Sequence, residues 1–187
     1  MLKIAIITGS TRPGRNNAAV SKWVYKIATE RTDAEFELVD IADYNLSLFD
    51  EPVSPMFGHY SHEHTKTWSK KIASFDAYVF VTPEYNHGIP GALKNAIDFL
   101  YREWNNKAAG FVSYGAASGV RAVEHLRLVM AELMVATVRA QVPLSVLTDF
   151  EDFTKFAPDP KHVEEVHTLF DQLISWGGAM KTVREAG

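Results

Sequence analysis

The chain contains no cysteine. Disulfides, thiolate metal centres and dithiol redox pairs are thereby excluded, so any electron chemistry has to be carried by a bound cofactor. Basic residues are not in excess either, since 19 Lys and Arg stand against 23 Asp and Glu for a formal net charge of −4. That balance offers no footprint for nucleic acid, and small-molecule partners are expected instead. No apolar run reaches membrane-spanning length, and IAIITG at 4–9 is too short for the core of a signal peptide. A cytoplasmic protein without membrane insertion follows as the expectation. Repeats, charge blocks, low-complexity tracts and Pro/Gly/Ser-rich linkers are missing as well. The 187 residues therefore read as one domain, 1–187, long enough to bury a two-sided core.

Four short apolar runs are present, KIAIIT at 3–8, AYVFVT at 77–82, KAAGFVSY at 107–114 and QVPLSVL at 141–147. An alternating run, EFELVDI, lies at 35–41. They read as five strands. Between and after them lie helical spacings, such as Val123, Leu126, Met130 and Leu133, and later Val163, Val166, Phe170 and Leu173. Unbroken apolar strands alternating with amphipathic helices predict an α/β fold, a three-layer doubly wound parallel sheet of five strands in the order 2-1-3-4-5.

In such a sheet ligands bind beyond the carboxyl ends of the strands where strand order reverses, here between the first and third strands. That position selects GSTRPGRNN at 9–17 and PEYNHGIPG at 83–91, the two chemically richest loops, with GAASG at 115–119 on the same rim. The first loop offers hydroxyls from Ser10 and Thr11, guanidinium groups from Arg12 and Arg15, and free N–H groups where a helix begins near Asn17. From residue 1 to 29 the charged residues are Lys3, Arg12, Arg15, Lys22 and Lys26, with no acid before Glu30. The field there favours an anion, and a phosphate is preferred over a bare turn with helix-capping Ser and Asn. Neither GxxxxGK[ST] nor GxGxxG occurs, which demotes ATP and a tightly held dinucleotide. A monophosphate at this switch point fits flavin mononucleotide (FMN), with Gly88 and Gly91 allowing close approach of a flat ring and Asn86 facing its polar edge.

These stretches carry a resemblance. GSTRPGRNN, TPEYNHGIPGALKNAIDFL and SYGAASGVRAVEHLR together resemble the NADPH-dependent FMN reductase family, flavodoxin-like quinone, azo-dye and chromate reductases included. The family pattern GSxRxxSxN is met by Ser10, Arg12 and Asn17, with Arg15 where a small hydroxyl residue is common. The resemblance implies that Pro83, Glu84, Tyr85 and Asn86 line the flavin ring and that Ser113, Tyr114, Gly115 and Ser118 close its far edge. GAASG departs from the family's usual GGxxGG. With FMN bound, the implied reaction is a ping-pong hydride relay of two electrons from NADPH or NADH to a quinone, free flavin or similar acceptor. The cofactor performs the chemistry, so no catalytic side chain is assigned. A one-electron carrier, a non-catalytic flavin-binding protein, and a nucleotide-binding or hydrolytic α/β protein remain alternatives.

Three weaker signals complete the reading. His59, His62 and His64 are read as solvated or helix-capping residues in preference to metal ligands, and no metal is expected. IDFLYREW at 97–104 is apolar on more than one face, which suggests burial in a homodimer or a dimer of dimers. TDFEDFTKFAPDP at 148–160, aromatic and acidic, reads as a surface or subunit-contact loop.

Overall fold

The structure, a computed structural model, describes residues 1–186. Five parallel strands, β1 (Leu2–Thr8), β2 (Ala34–Asp40), β3 (Ala77–Pro83), β4 (Lys107–Gly115) and β5 (Val135–Ser145), form one sheet in the order β2-β1-β3-β4-β5. Helices α1 (Asn17–Ala28), α2 (Glu63–Ala73), α3 (Gly91–Asp98), α4 (Val120–Glu132) and α5 (Lys161–Ala186) cover its faces. This is the expected doubly wound sheet in the expected order.

Burial explains the strand patterns. All of β3 is buried, as is β4 up to Tyr114, because both are central and covered on both sides, and their sequences are accordingly mostly apolar. Edge strand β2 alternates, with Glu35 exposed and Val39 buried, which is why its sequence alternates too. One face packs Trp68 and Ile72 of α2, Leu93 and Ile97 of α3, and Leu126 and Met130 of α4 onto Phe80 and Phe111. The other packs Val20 and Val24 of α1 and Leu169 and Phe170 of α5 onto Ile6, Val79 and Val112.

Two expectations are corrected. The fifth strand begins at Val135, six residues before the expected start at 141, because α4 stops sharply at Leu133 and Met134 turns left-handed (φ 56°). No glycine announces that stop, so the change from helix to strand lacks its usual sequence signal. The apolar surplus of 97–104 is consumed inside the chain, where Ile97, Phe99, Leu100 and Trp104 are all buried. Trp104 packs against Tyr78 and Phe80 and donates Nε1–H to the Ile97 carbonyl at 3.2 Å.

Candidate functional site

The strand order places the loop after β1 beside the loop after β3. Gly9 opens the first loop by donating its N–H to the Val81 carbonyl at 2.9 Å, and a Cβ there would lie 2.9 Å from both that oxygen and Leu93 Cδ2. Only glycine permits this contact. Ser10 is buried, and its hydroxyl shares a 2.9 Å hydrogen bond with the Tyr85 hydroxyl, so the two loops are joined by side chains as well as by backbone. Asn17 is fully buried, and its Nδ2 donates to the same Val81 carbonyl at 3.0 Å while Oδ1 has no partner. Its amide braces the loop from below. Among the described residues, the N–H groups of Thr11, Asn16, Asn17 and Ala18 meet no acceptor, which leaves a set of donors at the start of α1.

The two arginines separate. Arg12 is exposed, whereas Arg15 pairs with Asp40 at the end of β2, whose carboxylate also caps the turn at 41–44 by accepting from Ala42 N at 3.0 Å. One guanidinium is therefore balanced, and the positive field expected from composition is smaller than the charge count implies. The signal for this lies in the fold and not the loop, since β2 neighbours β1 and ends beside it.

In the second loop, Pro83 ends β3, and Tyr85 and Gly88 exchange N–H···O bonds of 3.1 Å in each direction. Asn86 (φ 49°) and His87 (φ 71°) form the two left-handed corners of this type I′ turn. Asparagine and histidine are both among the side chains that enter this region most readily. The Asn86 and His87 N–H groups meet no acceptor among the described residues. Glu84 is turned inward: its carboxylate accepts from Arg121 N at 3.1 Å and pairs with the Arg121 guanidinium, tying β3 to the first turn of α4. Burial alone would raise the Glu84 carboxyl, but the hydrogen bonds and charge of Arg121 hold it below the usual carboxylate range.

The third loop closes the rim. Ser113 is buried and donates to the Ser118 carbonyl at 2.8 Å, while Ser118 N returns to the Gly115 carbonyl at 3.0 Å. Ser118 (φ 54°) and Gly119 (φ 69°) are both left-handed, leaving the Ala116 and Ala117 N–H groups without acceptors among the described residues. Tyr114 lies against Phe150 with ring centroids 5.7 Å apart, and burial raises its phenol above the ordinary range. All twelve expected site residues thus converge on one rim, but Asn17, Glu84 and Ser113 use their side chains to hold the loops in place.

A cleft of about 680 Å³ adjoins this rim, lined by Thr11, Ile41, Leu46, Leu48, Ala92 and Asn95 among others. Its volume is that of a small-molecule site, and it touches the first loop at Thr11 and the second at Gly91. Asn95 holds its outer wall by accepting from Phe49 N at 2.9 Å and donating to the Ser47 carbonyl at 2.7 Å. Farther out, His62 and His64 stack at 5.2 Å, and His64 Nε2 faces Asp50 Oδ1 at 3.0 Å.

Comparison with known proteins agrees with this geometry. An NAD(P)H-dependent FMN reductase, ntnL, of Nectria sp is 43% identical over 159 residues, covering 80% of this chain and 79% of that protein. One from Schizosaccharomyces pombe is 38% identical over 178 residues, covering 91% and 88%. The quinone reductase of Escherichia coli K12 is 34% identical over 138 residues, covering 71% of each chain. In fold, the flavoenzyme NAD(P)H:(acceptor) oxidoreductase FerB of Paracoccus denitrificans superposes with a TM-score of 0.75 at 21% identity, covering 96% and 99%. Residues 2–149, spanning the sheet and all three rim loops, match the family described as NADPH-dependent FMN reductase, and the chain belongs to that family of oxidoreductases.

Proposed function

We propose that the chain holds FMN along the ends of β1, β3 and β4 and uses it to pass two electrons from NADPH or NADH to a quinone, free flavin or similar acceptor. The observation that carries the reading is the pair of unpaired donor sets at the switch point, one at the start of α1 and one on the turns at 86–87 and 116–117. Their chemistry suits a phosphate at one end and the polar edge of a flat ring at the other. Bound FMN would supply the hydride relay. The residues hold and orient: Ser10 and Tyr85 couple the two loops, Arg12 faces the anion, and Glu84 with Arg121 fixes the second loop against α4. Donor and acceptor use the same open face in turn, which is the basis for ping-pong order. No side chain needs to act as an acid or base, and the reading sets the protein in the cytoplasm, where reduced nicotinamide is supplied.

The test is an absorbance spectrum of purified protein before and after FMN, then after anaerobic NADPH. Flavin bands should bleach without a persistent one-electron species and return on adding a quinone. Bleaching without quinone turnover would favour an electron carrier, and a protein that takes up no FMN would end the reading.

A second copy is proposed to dock on the α3–α4 edge, not through 97–104. There Leu128 stands 73% exposed beside Val129 and Leu133, in a groove flanked by Lys94, Asp98 and Glu132. Light scattering should give a dimer for the wild type and a monomer for Leu128→Lys. A Leu128→Lys dimer would place the interface elsewhere.

A further inference from the structure

The segment 148–160 is neither a plain surface loop nor remote from the site. Phe150–Glu151 and Lys155–Phe156 pair as a short antiparallel hairpin, lying just past the residues that match the family. It touches three elements of the site. The Phe150 ring packs on Tyr114 of β4, the Phe156 ring meets Trp23 of α1 edge-on at 5.5 Å, and the Phe153 carbonyl accepts from Asn16 Nδ2 of the first loop at 3.3 Å. Asp152 (φ 49°) and Phe153 (φ 59°) at its tip are both left-handed, a conformation that persists only where the surroundings hold it.

What holds it is at the root. Asp149, 2% exposed, accepts from Ser145 N at 2.8 Å and Asp159 N at 3.1 Å, and its carbonyl accepts from Ala157 N at 2.9 Å. The entry and the exit of the hairpin therefore converge on one residue. His162 at the start of α5 is also buried, with Nε2 3.0 Å from Asp149 Oδ1 and Nδ1 2.7 Å from Glu165 Oε2. Carboxylates only accept, so both contacts are hydrogen bonds only when both ring nitrogens carry hydrogen. The groups facing the ring are Asp149 and Asp159 from the hairpin segment and Glu165 from its own helix, with Lys161 pairing to Asp159 at 3.5 Å.

We propose that His162 is a positioning residue for the phosphate end of the flavin site, clamping the hairpin through Asp149 so that the hairpin in turn holds the first loop at Asn16. The inference rests on the flavin reading above. Burial would raise the Asp149 carboxyl, but the N–H groups of Asp159 and Ser145 and the charge of His162 hold it below its ordinary range. It stays a carboxylate through neutral pH, an acceptor 3.0 Å from Nε2 of the His162 ring.

The experiment follows FMN release from the holoprotein by the return of flavin fluorescence on dilution. It is paired with amide hydrogen exchange. His162→Gln, whose two amide hydrogens sit on one nitrogen and cannot span from Asp149 to Glu165 as the ring does, should release FMN about tenfold faster, equivalent to about 1.4 kcal/mol. Exchange should rise in 10–17 together with 150–157. A wild-type rate in His162→Gln, or faster exchange confined to 158–166, overturns the proposal. Asn16→Ala cuts the tip contact without touching the buried network and should also speed release. Should His162→Gln fail to fold, a wild-type release rate in Asn16→Ala overturns it. Should the wild type hold no FMN, the flavin reading fails by itself, and the coupled exchange of the two segments still decides whether His162 holds the loop.

Discussion

Gly119→Ala is expected to destabilise the protein by about 2–5 kcal/mol, from the cost of a left-handed alanine together with overpacking. The residue sits at φ 69° where GAASG enters α4, and a Cβ there would lie 2.8 Å from Ser113 Cβ, 2.8 Å from Tyr114 N and 3.0 Å from Tyr114 O. Two of those neighbours are backbone of a central strand and cannot give way. Relief has to come from the rim loop itself, which would move Ser118 and the free donors of Ala116 and Ala117. Urea unfolding should show the loss of stability, and the purified variant should lose FMN. Gly91→Ala is the control, since a Cβ there meets nothing within 4 Å and φ is not positive. Its unfolding midpoint should hold, and any effect should appear in FMN binding alone. A Gly119→Ala protein within about 0.5 kcal/mol of wild type, the range of ordinary surface changes, would show that this turn tolerates a side chain.

The contrast between these glycines shows what a sequence reveals about such a site. Strand order and rim position were legible because burial on two faces leaves an unbroken apolar run, as in AYVFVT, and on one face an alternating one, as in EFELVD. The early start of β5 was not legible, because a methionine instead of a glycine takes the left-handed corner after α4. Residue types at the rim pointed to the right loops. Which atoms face outward did not follow from type: Asn17, Glu84 and Ser113 look like ligands in a list and act as braces in space. Arg15 reads as a free cation until strand order brings Asp40 beside it. The hairpin at 150–156 was recognisable as unusual composition, but its partners Trp23, Tyr114 and Asn16 are distant in sequence, and only the closed fold brings them together.

At the opposite end of the sheet, Lys107→Met should change how stability depends on pH. Lys107 begins β4 and is buried, with Nζ donating to the Ile72 carbonyl at 3.1 Å, the Ala73 carbonyl at 3.2 Å and the Tyr78 hydroxyl at 2.9 Å. It thereby caps the C-terminal end of α2 with a positive charge. Burial pushes its pKa down to about 7, Arg184 adds to the depression, and Asp76 and Glu103 oppose it. In the unfolded chain the amine keeps its ordinary value near 10.5. Between these two values the unfolded state binds the proton and the folded state does not, so wild-type stability rises with pH across that window relative to a variant lacking the group. The slope should approach about 1.4 kcal/mol per pH unit. Well below neutral pH both states are protonated and the slope vanishes. There Lys107→Met loses the cap, about 1–3 kcal/mol for leaving the Ala73 carbonyl unpaired, and is at the same time relieved of burying a charge. Urea unfolding of both proteins from mildly acidic through neutral to alkaline pH separates the two effects, because groups common to both cancel in the difference. A wild-type-minus-variant difference that stays constant from neutral to alkaline pH would mean that three well-placed acceptors keep the ammonium charged in the core.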